Sequence, residues 1–391
     1  MAIIGCGGMA GGHLNAYTRI QQTVPGKVEL VATCDPVLER AENFANRWND
    51  AFGRRPNVYS DTDEMLAAEQ LDGADICSPH AHHHINAVKC LNSGVHIICE
   101  KPIGITVRAT QVIAAAAQRN GKIAATAENI RRMPSRRASR WLMHERQMLG
   151  EMRMFMAQQA SYRKHSTSDR WHWRLDLLLG GGGMVMDSGA HYCDTIRYLF
   201  GDPDIVFAHV SQREDKRVTK EDEVVQDHHE DTWFATIEFR SGVTGLWTNT
   251  WAAPGHRFNH VVYYGSEGCL LDSGDIFHGP FEGAKVILSD GAEHSMEEIV
   301  KDYMESLGEE GRDRLFPHGF QDGVLLECYD FVDAIENSRP PEIPAEEGLK
   351  SKAIAEAIYE SGAIRQSVRY QDVVDGKIRY YQKPIDDYWG L

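Results

Sequence analysis

Asp187 and His191 stand four residues apart in GGGGMVMDSGAHYCD, residues 180–194. On a helix that spacing sets the two Cβ atoms ~5–6 Å apart on one face. Neutral imidazole is the natural base near pH 7 for taking a hydroxyl proton, a form of help that typically contributes ~10²–10⁴-fold. A neighbouring carboxylate favours the imidazolium that forms and orients the ring. The plainer alternative is a helix N-cap at Asp187 and a packed side chain at His191. Four consecutive glycines precede the pair, and a glycine run is also a common way for backbone to cradle phosphate.

A stronger phosphate candidate opens the chain. Ile3-Ile4-Gly5-Cys6-Gly7-Gly8-Met9-Ala10 reads as a strand, a G-x-G-x-x-A turn and a helix start. Gly5 allows the tight turn, Gly7 lets backbone approach a pyrophosphate, and Ala10 keeps helix and strand close. Backbone N–H groups from Gly8 and Met9 onward then face the phosphates, helped by the helix dipole. The next strand-like run, VELVATCD, ends in Asp35. A carboxylate there binds both ribose hydroxyls of NAD and repels the extra phosphate of NADP, so NAD is expected ahead of NADP. Alternatively, Asp35 is a helix N-terminal charge ahead of Pro36. Only four residues precede Gly5, short for a central strand, which leaves open whether the native chain begins upstream of Met1.

Those motifs need elements to hold them. Residues 1–127 alternate strand-like runs (Ala2–Ile4, Val28–Thr33, Ala74–Cys77, Val95–Cys99, Lys122–Thr126) with segments of helical length. In Ala81–Asn92, residues Ile85, Val88 and Leu91 form a helical stripe that stops at Gly94, and the Ala-rich Thr106–Asn120 stops at Gly121. Such alternation predicts a doubly wound α/β domain with a parallel sheet, the Rossmann arrangement. Beyond residue 128 strand candidates follow one another at MRMFMAQQASYR, Ile205–Gln212, Trp233–Arg240, Thr244–Thr250 and Val261–Tyr264, with Ser241-Gly242 as a tight turn. That pattern predicts an α+β second domain, residues 128–391, with an antiparallel sheet. Its C-terminal helix, about 346–361, is expected to pack back towards the first domain.

Composition limits the partners. A chain of 391 residues favours two domains, and a formal net charge of −16 argues against nucleic acid and anionic membranes. No apolar run approaches a membrane span, and the N-terminus has no signal-peptide pattern, so a cytoplasmic location is expected. The eight cysteines are scattered without a CxxC, as expected for reduced thiols.

The chain resembles the Gfo/Idh/MocA family, named for glucose–fructose oxidoreductase and inositol dehydrogenase. The likeness rests on GCGGMA, SPHAHH at 78–83, GVHIICEKP at 94–102, GG-x-x-x-D-x-G-x-H-x-x-D at 182–194 and DFVDAIENSRPPEIPAEEGL near the C-terminus. It implies a Rossmann domain, a large open antiparallel sheet that serves as a homodimer or homotetramer interface, and NAD(P)-dependent oxidation at a secondary alcohol of a sugar or cyclitol. By that resemblance Lys101 is the catalytic lysine beside Asp187 and His191. Ser78, Pro79, His83, Glu100 and Lys101 join Gly5, Gly7, Gly8, Met9, Ala10 and Asp35 on the cofactor side. Asn129, Trp173 and Arg174 join Lys101, Asp187 and His191 on the substrate side. A salt-bridged turn at Glu100-Lys101-Pro102, or a core aromatic pair at Trp171 and Trp173, would be the structural alternatives.

Other conspicuous residues point elsewhere. His80, His82, His83 and His84 fall ~100° apart in turn on a helix and cannot converge on one ion, so no metal is expected. Surface roles are expected for all but His83. His228-His229-Glu230-Asp231 reads as a mixed loop or a single substrate contact. Arg131, Arg132, Arg136, Arg137 and Arg140 read as a solvated helix or interface ion pairs before an anion site. The expected function is an NAD-dependent dehydrogenase of a sugar, glycoside or inositol. The alternatives are an NAD-dependent glycosidase using transient oxidation, and a non-catalytic NAD- or sugar-binding regulator.

Overall fold

The computed structural model describes residues 1–162, 173–218, 224–272 and 283–391. The chain divides into two compact units. One comprises Met1–Asn129, His318–Leu349 and Leu391; the other comprises Ile130–Pro317 and Lys350–Gly390.

In the first unit β1 (Ala2–Ile4), β2 (Ala32–Cys34), β3 (Asn57–Tyr59), β4 (Gly73–Ile76), β5 (His96–Glu100) and β6 (Ala124–Ala127) form a parallel sheet in the order 3-2-1-4-5-6. Between them run α1 (Gly8–Thr23), α2 (Leu38–Phe52), α3 (Thr62–Ala68), α4 (His80–Asn92) and α5 (Val107–Asn120). Every residue of β1, β2, β4 and β6 is buried, which is why these strands read as short apolar runs without alternation. The Thr106 side chain accepts the Ala109 N–H to start α5, and Gly121 ends it in the left-handed conformation. The helix Gly323–Glu336 returns to this unit and packs on α1, β5 and β6, with Phe331 against Ile98, Ala125 and Ala127. The helix expected over about 346–361 spans Ala345–Ile364, and only its first residues belong to this unit.

The second unit contains α6 (Pro134–His144), β7 (Met152–Ala160), α7 (Leu177–Gly180), α8 (Gly189–Phe200), β8 (Pro203–Ser211), the small hairpin β9 (Lys216–Val218) and β10 (Val224–Gln226), β11 (Thr232–Phe239), β12 (Thr244–Thr250), β13 (Phe258–Gly265), β14 (Gly268–Asp272), β15 (Lys285–Leu288), β16 (Glu293–Ser295) and β17 (Val368–Arg369). Apart from β9 and β10, the strands build one sheet in the order 16-15-14-13-7-12-11-8-17. It is mixed rather than wholly antiparallel: β7 runs parallel to β12 and antiparallel to β13. The reason is geometric, because β7 fills the slot between two strands that run in opposite directions and must be parallel to one of them.

Burial alternates along β11, so one face of the sheet is packed and the other open. On the packed face lies α8. Its Tyr192 meets Trp247 of β12 at 5.1 Å, and its Phe200 stacks on Phe155 of β7 at 5.5 Å. These aromatic contacts fix the helix that carries His191. Among the described residues no helix is long and apolar enough to cross a membrane, and none of the eight cysteines is joined in a disulfide.

Candidate active site

The glycine turn sits at the carboxyl end of β1, where the strand order reverses, the usual crevice for a dinucleotide. Gly5 has φ +87°, and a Cβ there would lie 2.6 Å from the Ser78 backbone nitrogen. Gly7 differs: a Cβ would meet no described atom within 4 Å, so its backbone borders open space at the start of α1. Open backbone, free helix-start N–H groups and a buried Ala10 behind them fit a pyrophosphate. Asp35, nearly buried, accepts the Cys6 and Val37 N–H groups, each at 2.8 Å. Its carboxylate therefore holds both the turn ahead of α2 and the glycine turn.

Two loops beside that turn are stapled by His83. Its Nδ1 lies 2.9 Å from the Pro102 carbonyl oxygen and its Nε2 2.7 Å from that of Ser78. Both ring nitrogens thus face backbone carbonyls, and burial pulls the imidazole pKa down against those two contacts, which favour the charged ring. Pro79 caps the start of α4. His80 and His84 are buried rather than on the surface, and burial takes His84 down to about 4. The Lys101 N–H donates to Glu100 Oε2 at 3.0 Å, and the half-buried Asn129 packs its carbonyl against Gly323.

In the second unit Asp187 lies in the turn before α8, not on the helix itself, and His191 is half-buried in the helix's first turn. Arg174 Nε lies 3.1 Å from Asp187 Oδ2, and the Arg174 guanidinium sits 4.2 Å from the centre of the Trp173 ring. Three residues chosen from sequence for the substrate side are thereby brought together. Trp171 lies outside the described residues.

The glycines ahead of the pair make room for protein, not ligand. A Cβ on Gly182 would lie 2.5 Å from Tyr359 Oη, and one on Gly183 would lie 2.6 Å from Glu230 Oε2. Buried Glu230 accepts the Gly183 and Val185 N–H groups, each at 2.9 Å, and the Tyr359 hydroxyl, also at 2.9 Å. Met186 N–H donates onward to Tyr359 Oη at 3.2 Å. Burial raises the Glu230 pKa, while these donors oppose the rise.

The arginine run is buried, against the expectation of a solvated face. Arg131, Arg132, Arg136 and Arg137 are all enclosed, Arg131 by both carboxylate oxygens of Asp194, which also accepts the Ser351 hydroxyl at 2.7 Å. Arg136 faces Asp272. The final Asp of the 182–194 motif is therefore a structural anchor for α8.

Comparison with known proteins agrees with this layout. A family model described as an oxidoreductase family with an NAD-binding Rossmann fold matches residues 1–128, and the GFO/IDH/MocA C-terminal domain matches residues 142–271. D-glucoside 3-dehydrogenase of Escherichia coli is 30% identical over 64% of this chain and 69% of its own length. The chain belongs to the Gfo/Idh/MocA oxidoreductase family. With it the chain joins the nicotinamide-dependent oxidoreductases acting on CH–OH groups. Another relative, scyllo-inositol 2-dehydrogenase (NADP(+)) IolU of Bacillus subtilis, is 29% identical over 45% of this chain and about half of its own length, 52%. The fold is shared with levoglucosan dehydrogenase, whose structure in complex with NADH superposes with a TM-score of 0.75, at 22% identity over 94% of this chain and 98% of that one.

Within this Gfo/Idh/MocA chain, sequence reasoning missed Glu230 and Tyr359 as the brace of the 182–187 loop. Glu230 hides in the polar run HHED, where only its position just ahead of β11 set it apart. Nothing local marked Tyr359, which acts from a helix 129 residues further along.

Proposed function

We propose that this protein is an NAD-dependent dehydrogenase that oxidises a secondary hydroxyl of a sugar, glycoside or inositol. The observation that carries the reading is the Trp173–Arg174–Asp187 cluster at the head of α8, one turn ahead of His191. In this reading the first unit binds the dinucleotide and the second holds the substrate. Gly5, Gly7, Gly8, Met9 and Ala10 receive the pyrophosphate and Asp35 the ribose, with NAD preferred over NADP because a carboxylate repels a 2′-phosphate. The relative named for NADP makes that preference a point for direct measurement.

When bound, the nicotinamide supplies a hydride acceptor, which no side chain offers. His191 takes the hydroxyl proton on a ring nitrogen. Asp187 favours the resulting imidazolium while Arg174 fixes the carboxylate. Lys101 donates a hydrogen bond to the substrate oxygen. The Trp173 ring offers an apolar face for the C–H side of a sugar ring.

The open face of the nine-stranded sheet carries exposed Met154, Met156, Phe207 and Phe234, the last 53% exposed. That apolar surface supports self-association as a homodimer or homotetramer through the sheet. The deciding experiment is an NAD⁺ reduction screen against free sugars, inositols, anhydrosugars and glycosides, repeated with NADP⁺. Stoichiometric NADH from one polyol supports the reading; no signal with any polyol sinks it. Release of free sugar from a glycoside without net NADH would favour a glycosidase instead.

A further inference from the structure

His13, in the second turn of α1, is fully buried, and both its ring nitrogens meet carboxylates. Nδ1 lies 2.8 Å from Asp75 Oδ2 on β4, and Nε2 lies 2.9 Å from Glu100 Oε1 on β5. Glu327 Oε1, on the helix Gly323–Glu336, stands 3.6 Å from the same Nε2. A neutral imidazole has one N–H and one lone pair, so one of the two short contacts would oppose lone pairs. Doubly protonated, the ring donates to both carboxylates and cancels charge that burial would otherwise make costly.

The groups facing His13 all lie in the first unit: Asp75, Cys77, Glu100, Glu327, Cys328 and the phenol of Tyr17. Burial alone pulls its pKa down, but the neighbouring charges, Asp75 foremost, hold it well above the usual histidine value. Asp75 is held in turn by the Cys77 thiol, 3.3 Å from its Oδ1.

The cluster leads to the cofactor-side lysine. Glu100 Oε1 faces His13 while its Oε2 accepts the Lys101 N–H at 3.0 Å. The other end of the connection is α1, whose first turn grows out of Gly7 and Gly8. We propose that His13 is a positioning residue: a buried cation that fixes the Glu100 carboxylate and, through it, the Lys101 backbone, tying the nucleotide-loop helix to the turn from which the lysine works. This rests on the reading of Lys101 as a catalytic residue.

The experiment has one arm that is independent of turnover. With ¹⁵N-labelled histidine in the full-length protein, the His13 ring is expected to give the paired N–H pattern of an imidazolium, unchanged from pH 6 to pH 9. The signal is assigned by its loss in His13→Gln, or by its shift in Glu327→Gln if the first variant does not fold. A neutral tautomer at pH 8, or a stoichiometric metal ion in the purified protein, overturns the proposal. In the kinetic arm, Glu100→Gln, which weakens the pin while keeping the side chain, is expected to lower kcat about 10–100-fold, with NAD Kd moving less than threefold. Combined with Lys101→Met it should cost nothing further, since the lysine it positions is gone. A further loss in the double variant equal to that in the single one overturns the positioning role. Full activity of Lys101→Met would instead refute the assignment of the lysine and leave the nitrogen spectra standing.

Discussion

Arg174 holds Asp187: Nε to Oδ2 is 3.1 Å, and the guanidinium also lies on the Trp173 ring. A single planar cation thus joins the stretch before the glycines to the head of α8. Arg174→Lys keeps the charge but loses the planar guanidinium and its stacking on Trp173, and is expected to lower kcat about tenfold. Arg174→Met should lower it about a hundredfold, since Asp187 then lacks the cation that orients it. Steady-state kinetics on the polyol found in the screen measures both. Unchanged kcat/KM in the methionine variant would remove Arg174 from the site.

Lys101→Met and His191→Asn should each lower kcat/KM by at least about a hundredfold. NAD Kd, measured by calorimetry, should move less than about threefold, a free-energy change under ~0.7 kcal/mol. Near wild-type turnover in either variant would sink its assigned role, and a lost NAD affinity would mean that the residue serves binding instead.

The ease with which different parts were legible follows from the range of the interactions behind them. The β1–Gly5–α1 junction, the α5 stop at Gly121 and the alternation along β11 are local patterns, and each was visible in a few neighbouring residues. By contrast, β3 has only three residues, all of them exposed or half-buried, and sets up no period to detect. The buried arginines misled because a local run of charges reads as a solvated face. What buries Arg131 is Asp194, 63 residues on, and Asp272 lies 136 residues from Arg136. The same holds at the candidate site: the Asp187/His191 spacing is local, whereas the Glu230 and Tyr359 brace is assembled by the fold.

Asp35 offers a test of cofactor choice. Asp35→Asn removes the negative charge and keeps one oxygen for either the Cys6 or the Val37 N–H, which now bond separate carboxylate oxygens, while its amide NH2 faces the other. The ratio of kcat/KM with NADP⁺ to that with NAD⁺ should rise at least about tenfold, equivalent to ~1.4 kcal/mol of lost discrimination. An unchanged ratio would show that the carboxylate serves only the backbone of the glycine turn.

A pH effect on stability follows from Glu356, which lies 2.6 Å from Lys352 with both side chains buried. Burial pushes the Glu356 carboxyl up from 4.5 to about 7, against the opposing pull of Lys352. Between those two values the folded state binds more protons at this site than the unfolded chain, so this contribution to stability falls as pH rises. Glu356→Gln removes the titration. Denaturant unfolding at pH 5 and pH 7 should therefore show a less negative pH slope in the variant than in the parent; equal slopes would refute the assignment.

The loop ahead of Asp187 is expected to fail when its brace is cut. Glu230 takes two backbone N–H groups and the Tyr359 hydroxyl, so Glu230→Gln leaves a buried donor facing another donor. The expected cost is ~1–3 kcal/mol, read as a lowered unfolding midpoint. Tyr359→Phe loses the link from Met186 and should cost about 1 kcal/mol. Because the Tyr359 hydroxyl donates to Glu230 Oε1, the oxygen that also accepts the Val185 N–H, the two losses should not add, and a double-mutant coupling of at least ~0.5 kcal/mol is expected. Both variants should also lower kcat, because Asp187 N–H bonds to the Gly183 carbonyl of the loop they release. A coupling near zero with kcat unchanged would mean that the loop holds Asp187 without Glu230, and that the glycines serve packing alone.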